Sequence, residues 1–287
     1  FMASTDPSKL SSTPDASDMN ANNPAYQKAY TDAMSHLLTQ YKQGISQFNN
    51  GNTSAQTDNV AGNLDKDVIR KGFQAAQAVF NDGLNGQTNA NSNADTNDDS
   101  TLANKVKTAI NNAVTDGNVD TGNSDINSVI NAAKAAILNN PAASATDYSN
   151  VTPNITNNLK YQLIYQNSIA QFKAAYQSGV TSATVGNGDG TIKAVSGKLA
   201  TLGQNDANNA IQAGFGGQSN PFSSRNNRDL NTAFEMGQDA KTAMGLRQNG
   251  QTSLPGNAST AEQSGFNAAN DAINDLINHR APASDIN

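Results

Sequence analysis

The chain has 287 residues, a formal net charge of −6, only 15 % charged residues, no Cys and no Trp. Without Cys, disulfides and thiolate metal sites are excluded, and the thin, scattered basic residues exclude a nucleic-acid stripe. Hydrophobic residues reach 36 % largely through Ala, which suits closely packed helices; no apolar run approaches the ~18 residues of a membrane span.

In chain order, residues 1–21 read as a disordered tail. A first helix is predicted over 24–49: Pro24 follows Asn22-Asn23, and Tyr26, Tyr30, Ala33, Leu37, Tyr41 and Ile45 recur every three or four residues. Asn49-Asn50-Gly51 supplies its stop. A second helix is predicted over 65–84, with Asp65 as N-cap and Asn85-Gly86 behind it. The polar run 86–100 reads as a mobile loop. Helices over 101–115 and 124–139 follow, the latter capped by Ser124. Pro141 and Pro153 break the chain. Further helices are predicted over 156–179, 195–215, 227–247 and 260–279.

The second set echoes the first. Residues 22–44 and 157–179 match at a constant offset of 135, with Asn22/Asn157, Asn23/Asn158, Tyr26/Tyr161, Gln27/Gln162, Tyr30/Tyr165, Tyr41/Tyr176 and Gly44/Gly179 identical. Gly72-Phe73 resembles Gly214-Phe215 at offset 142, Lys107-Thr108-Ala109 resembles Lys241-Thr242-Ala243 at 134, and Asn131-Ala132-Ala133 resembles Asn267-Ala268-Ala269 at 136. The expected fold is therefore all-α, built from tandemly duplicated four-helix units, about eight helices in total. Its expected parts are the tail 1–21, a first unit 22–145, a junction 146–156, a second unit 157–281 and a tail 282–287.

Little in the sequence points to catalysis. The two histidines, His36 and His279, read as surface or helix-end residues. No Gly-x-Ser-x-Gly elbow, Walker loop, dinucleotide fingerprint or HExxH is present. Asp98-Asp99 and Asp65/Asp67 read as solvated loop carboxylates, and two Glu are too few for a di-metal bundle. Residues 187–192 imitate part of a calcium loop, but Val185 and Ser196 stand where its outer ligands belong. No catalytic residue, metal site or cofactor is expected. The distinctive side chains are Tyr26, Tyr30, Tyr161 and Tyr165: exposed, they are platforms for sugar rings or a protein partner; buried, they are core. Gly44 and Gly179, each three after a Tyr, read as packing positions.

Tyr-x-x-x-Tyr and Tyr-x-x-Gly helices, Asn-Gly-x-Thr loops such as Asn85-Gly86-Gln87-Thr88, and Gly-Phe-Gln-Ala-Ala at 72–76 resemble the helical repeat region of large surface adhesins, serine-rich or wall-anchored, of lactic acid bacteria. The resemblance implies an exported, non-enzymatic protein at the Gram-positive cell surface or wall. It implies a host or matrix glycoprotein or polysaccharide as partner, or another copy of itself. The alternative is a structural spacer or self-association module. The polar surface, rich in Asn, Gln, Ser and Thr and with Glu only at 235 and 262, independently suggests secretion, and the chain reads as a segment of a longer protein.

Overall fold

The computed structural model describes residues 22–89, 95–149, 151, 155–185, 194–225 and 227–277. These form eight α-helices and no strand: α1 Pro24–Asn49, α2 Asn63–Asn85, α3 Asn97–Thr115, α4 Ser124–Asn139, α5 Leu159–Val185, α6 Lys198–Gly216, α7 Arg228–Gln248 and α8 Thr260–Ile277, with a 3-10 turn at Ser223–Arg225. The all-α expectation holds. The expected tails 1–21 and 282–287, His279 and the 187–192 loop lie outside the described residues.

Helix ends follow local chemistry. Asn23 Oδ1 accepts from the amides of Ala25 at 2.9 Å and Tyr26 at 3.3 Å, with Pro24 in the first turn. Asn158 Oδ1 likewise accepts from Tyr161 N at 3.2 Å. Each occupies a donor that the first turn leaves unpaired. Two expected caps are corrected. At α4 the cap is Asn123, whose Oδ1 takes the amides of Asp125 and Ile126. At α2 the residue before the helix is Gly62, which offers no side chain, and Asp65 reaches across to His36 instead. Helix α3 also begins earlier than expected, at Asn97, because Thr96 and Asp99 are buried rather than solvated.

The chain divides into two compact units. One comprises the described residues of 1–112, 118–134 and 144–170; the other comprises 113–117, 135–143 and the described residues from 171 onward. In the first, Phe48 meets Phe73 and Phe80 edge-on, with ring centroids 5.6 and 5.8 Å apart. Such aromatic pairs add roughly 1 kcal/mol each beyond the area they bury. In the second, Phe172, Tyr176 and Val180 of α5 and Leu230 and Ala233 of α7 are fully buried.

Backbone contact dictates how the helices cross. A Cβ on Gly44 falls 2.0 Å from the Ile69 carbonyl oxygen, and one on Gly72 falls 2.0 Å from that of Tyr41. Each glycine thus lies on the carbonyl three residues before its partner. The same reciprocal arrangement joins α5 to α6, where Gly179 meets the Ala200 oxygen at 1.8 Å and Gly203 meets that of Tyr176 at 2.1 Å. It recurs between α6 and α7, with Gly214 on Phe234 and Gly237 on Ile211. Only a residue without Cβ permits so close an approach.

The crossings also reset the correspondence read from sequence. Gly203, not Gly214, has the relation to Gly179 that Gly72 has to Gly44. Gly214 corresponds to Gly83, which contacts α3 at Ala103. Gly86 and Gly217 then coincide as left-handed helix ends, φ 75° and 73°, each beside a lysine Nζ, from Lys107 and Lys241. All these α2–α6 matches share an offset of 131, in place of the 142 read from the Gly-Phe dipeptides. In that register Asp206 takes the buried place of Ala75.

Candidate functional site

The four tyrosines singled out from sequence have unequal surroundings. Tyr26 and Tyr30 are half-buried, one turn apart on α1, their ring centroids 6.4 Å apart and tilted by 30°. Exposed polar residues, among them Asn22, Asn23, Lys28 and Thr31, surround them. Tyr161 is half-buried, and burial and then Asp125 raise its phenol pKa above the ordinary value. Tyr165 is only 2 % exposed and packs edge-on against Tyr148 at 5.6 Å, while the Tyr148 hydroxyl accepts from Gln166 Nε2 at 2.6 Å. Burial and then Asp147 raise the Tyr165 pKa. The ring of Tyr165 is committed to the core, which corrects its candidacy as a ligand platform; the segment before α5 folds back over it.

Two recesses have polar side chains in their walls. One, of about 420 Å³ in the first unit, is bounded by Thr101, Asn104, Lys105, Thr108, Asp120 and Thr121. The other, of about 630 Å³ in the second, is bounded chiefly by Gln177, Ser178, Thr181, Ser182 and Val185, with residues 194–196 opposite. The first combines hydroxyls and an amide with Lys105 and Asp120, the second hydroxyls and an amide with Val185, Ala194 and Val195, and neither contains an aromatic ring.

Two buried polar clusters escaped the sequence reading. Asp99 was expected to be solvated, yet its side chain is completely buried and Lys160 Nζ stands 2.7 Å from its Oδ1. The contact is one of charge more than of direction, since neither carboxylate oxygen meets a donor at hydrogen-bonding angles. Burial raises the Asp99 pKa, Lys160 partly lowers it and Asp98 adds a smaller rise. Lys160 Nζ also donates to Asn49 Oδ1 at 2.8 Å and lies 5.0 and 5.6 Å from the Phe48 and Phe80 ring centroids. In the second unit the Tyr176 hydroxyl donates to Asp206 Oδ2 at 2.6 Å and Arg225 Nη1 donates to the same oxygen at 2.8 Å. Burial first, then Asp206, raises the Tyr176 pKa far above the usual phenol range. No short-range motif announces either cluster, because each joins distant segments.

His36 Nε2 lies 3.0 Å from Asp65 Oδ1 at the surface, and Asp67 pairs with Arg70 at 2.9 Å. Among the described residues, no group of three or more His, Asp or Glu side chains is arranged to hold a metal ion, and no helix is long and apolar enough to cross a membrane.

The chain matches no family model, no curated protein and no solved structure. The side chains themselves carry the functional reading.

Proposed function

We propose that this chain is a non-enzymatic adhesion module of an exported bacterial surface protein, holding a host or matrix glycan or glycoprotein. The observation that carries the reading is the Tyr26–Tyr30 pair: two partly accessible rings one helical turn apart, set among exposed polar side chains whose charges, Lys28 and Asp32, pair with each other. A sugar ring offers C–H faces for stacking and hydroxyls for Asn, Gln and Tyr, so such a surface binds it with little help from charge. Each contact is weak, and repetition of the module strengthens attachment by raising effective concentration. The recurrence of the glycine crossings and of the lysine-flanked helix ends supports descent of α1–α4 and α5–α8 from one four-helix ancestor.

The test is binding to a glycan array and to mucin, by the single chain and by the chain clustered on beads. The expected result is modest single-chain binding, much stronger bead adhesion, and loss of both in a Tyr26→Ala, Tyr30→Ala variant that keeps its helical circular dichroism. Unchanged binding by that variant counts against the reading, as does adhesion abolished by ~0.5 M salt, at which exposed charges are screened.

A second reading, a spacer or self-association module, draws on Tyr41, Tyr165 and Tyr176, which are spent on the core. It predicts no glycan binding by either form.

A further inference from the structure

Lys160, Asn49 and Asp99 come from three separate helices of the first unit. Asn49 ends α1, Asp99 sits in the first turn of α3, and Lys160 is the second residue of α5. One amine therefore touches both a carboxamide oxygen, at 2.8 Å, and a buried carboxylate, at 2.7 Å. Of the other Lys–Asp pairs among the described residues, Lys28–Asp32 and Lys42–Asp95 have lysines more than half exposed, at 78 % and 52 %, whereas Lys160 is 11 % exposed and Asp99 not at all.

We propose that Lys160 and Asn49 become joined by an amide bond between the lysine Nζ and the asparagine Cγ, with release of ammonia and with Asp99 as the acid–base group.

The chemistry follows from what surrounds the amine. A carboxamide and an amine are inert towards each other in water because the amine is protonated and the leaving group is poor. Here the rings of Phe48 and Phe80 lie 5.0 and 5.6 Å from the amine, Lys160 is 11 % exposed and Asp99 not at all, while Asn49 sits at the exposed edge, where ammonia can leave. In such surroundings a charged pair loses hydration, and transfer of one proton from Nζ to Asp99 yields a neutral amine and a neutral acid. The raised Asp99 pKa is in keeping with that transfer.

The freed lone pair on Nζ attacks Cγ of Asn49, and the carbonyl π pair moves onto Oδ1. Asp99 stabilises that oxygen and then delivers its proton to the departing Nδ2. As the carbonyl re-forms, the Cγ–Nδ2 bond breaks and ammonia leaves. The second nitrogen proton of the new amide linkage departs through the carboxylate with the ammonia, as ammonium. Overall a lysine ammonium and a carboxamide become a secondary amide and ammonium, with Asp99 returned as carboxylate and no oxidant or other reactant consumed. Holding the groups in contact replaces a bimolecular encounter, an advantage that reaches ~10⁵ M or more in effective concentration when alignment is good.

The bond closes the first unit across positions 111 residues apart, tying the end of α1 to the start of α5. It does not depend on what the module binds.

The experiment is denaturing intact-mass measurement of the full chain, followed by tryptic mapping. The expected mass is below the sequence mass by one ammonia. Acylated Lys160 resists trypsin, so residues 43–66 and 135–173 appear as one branched peptide. Lys160→Arg, Asn49→Ala, Asp99→Ala and Asp99→Asn each retain the full mass they encode, with Lys160→Arg keeping the ion pair and a folded circular-dichroism spectrum. Succinimide formation at Asn50-Gly51 also expels ammonia, but it survives Lys160→Arg and gives no branched peptide. A full-chain mass equal to the sequence mass, or a loss of ammonia that persists in Lys160→Arg, overturns the bond. A branched peptide formed equally well in both Asp99 variants overturns the part given to Asp99.

Discussion

Replacing Gly44 by Ala adds one methyl group to a position where the nearest atoms are backbone: the Ile69 oxygen at 2.0 Å, the Phe73 nitrogen at 2.7 Å and the Ile69 carbonyl carbon at 2.9 Å. No rotamer can relieve that, so α1 and α2 must part by about an ångström, a gap that forfeits a quarter to a half of each dispersion contact along the seam. Overpacking of this kind costs up to about 3 kcal/mol. The gain in helix propensity of Ala over Gly returns about 1 kcal/mol, leaving a net loss of about 2 kcal/mol. Gly245, within α7, supplies the control: a Cβ there meets nothing within 4 Å, so Gly245→Ala stabilises by roughly 0.5–1 kcal/mol. Urea denaturation followed by circular dichroism reads both, with slopes of ~1–3 kcal/mol/M turning the Gly44 loss into a midpoint drop of about 1 M. Since the chain has two compact units, the transition is fitted for each if they separate. Equal effects of the two substitutions, or a Gly44→Ala protein as stable as its parent, would refute the crossing argument.

Tyr176 gives an alkaline test. Its pKa is raised in the folded protein, so the unfolded chain loses the proton first; the stability it contributes is complete below ~10 and falls as pH rises further. Tyr176→Phe therefore shows a shallower decline in melting temperature between pH 9 and 11 than the parent, and identical slopes would contradict the buried hydroxyl. Asp206→Ala strips the Tyr176 hydroxyl and Arg225 of their shared acceptor and costs about 1–3 kcal/mol. Adding Tyr176→Phe and Arg225→Met recovers most of that loss, because the first unit already closes the corresponding place with Ala75; thermal melts of the variants decide it. His36→Ala leaves stability within about 0.5 kcal/mol, since its pairing with Asp65 is solvent-exposed, and a larger fall in the melt would expose a role for His36 that its surface position does not suggest.

Much of the helical plan was legible because it is written locally. Pro24, the Asn23 cap and the Asn49-Asn50-Gly51 stop bound α1 at the residues expected. Where the reading slipped, a distant partner had changed the meaning of a residue. Gly179 is the packing position expected, against the Ala200 carbonyl, but the helix does not stop there: α5 continues to Val185. Gly214-Phe215 looks like Gly72-Phe73 as a dipeptide, but which carbonyl lies under each glycine is a tertiary fact. Asp99 looked solvated because its neighbours are polar, and only Lys160, far along the chain, explains its burial. Of the candidate tyrosines, spacing placed each pair one turn apart but could not reveal that Tyr148 covers Tyr165 and not its counterpart.

The reciprocal glycine crossings bear on how such a fold can change over time. What one helix touches on the next is peptide backbone, which every sequence shares, so the seam specifies the absence of a side chain at a few places and little about the identity of any other. Drift at the flanking positions is then filtered mainly by size and polarity. Descendants of this arrangement would keep glycines facing a carbonyl three residues before the opposing glycine, as at Gly44 with Gly72, Gly179 with Gly203 and Gly214 with Gly237, while the residues between them diverge. The α1–α2 and α5–α6 seams show how little else is needed: Gly44 with Gly72 and Gly179 with Gly203 make the same crossing, while the residues around them differ, as with Ala75 on α2 and Asp206 on α6.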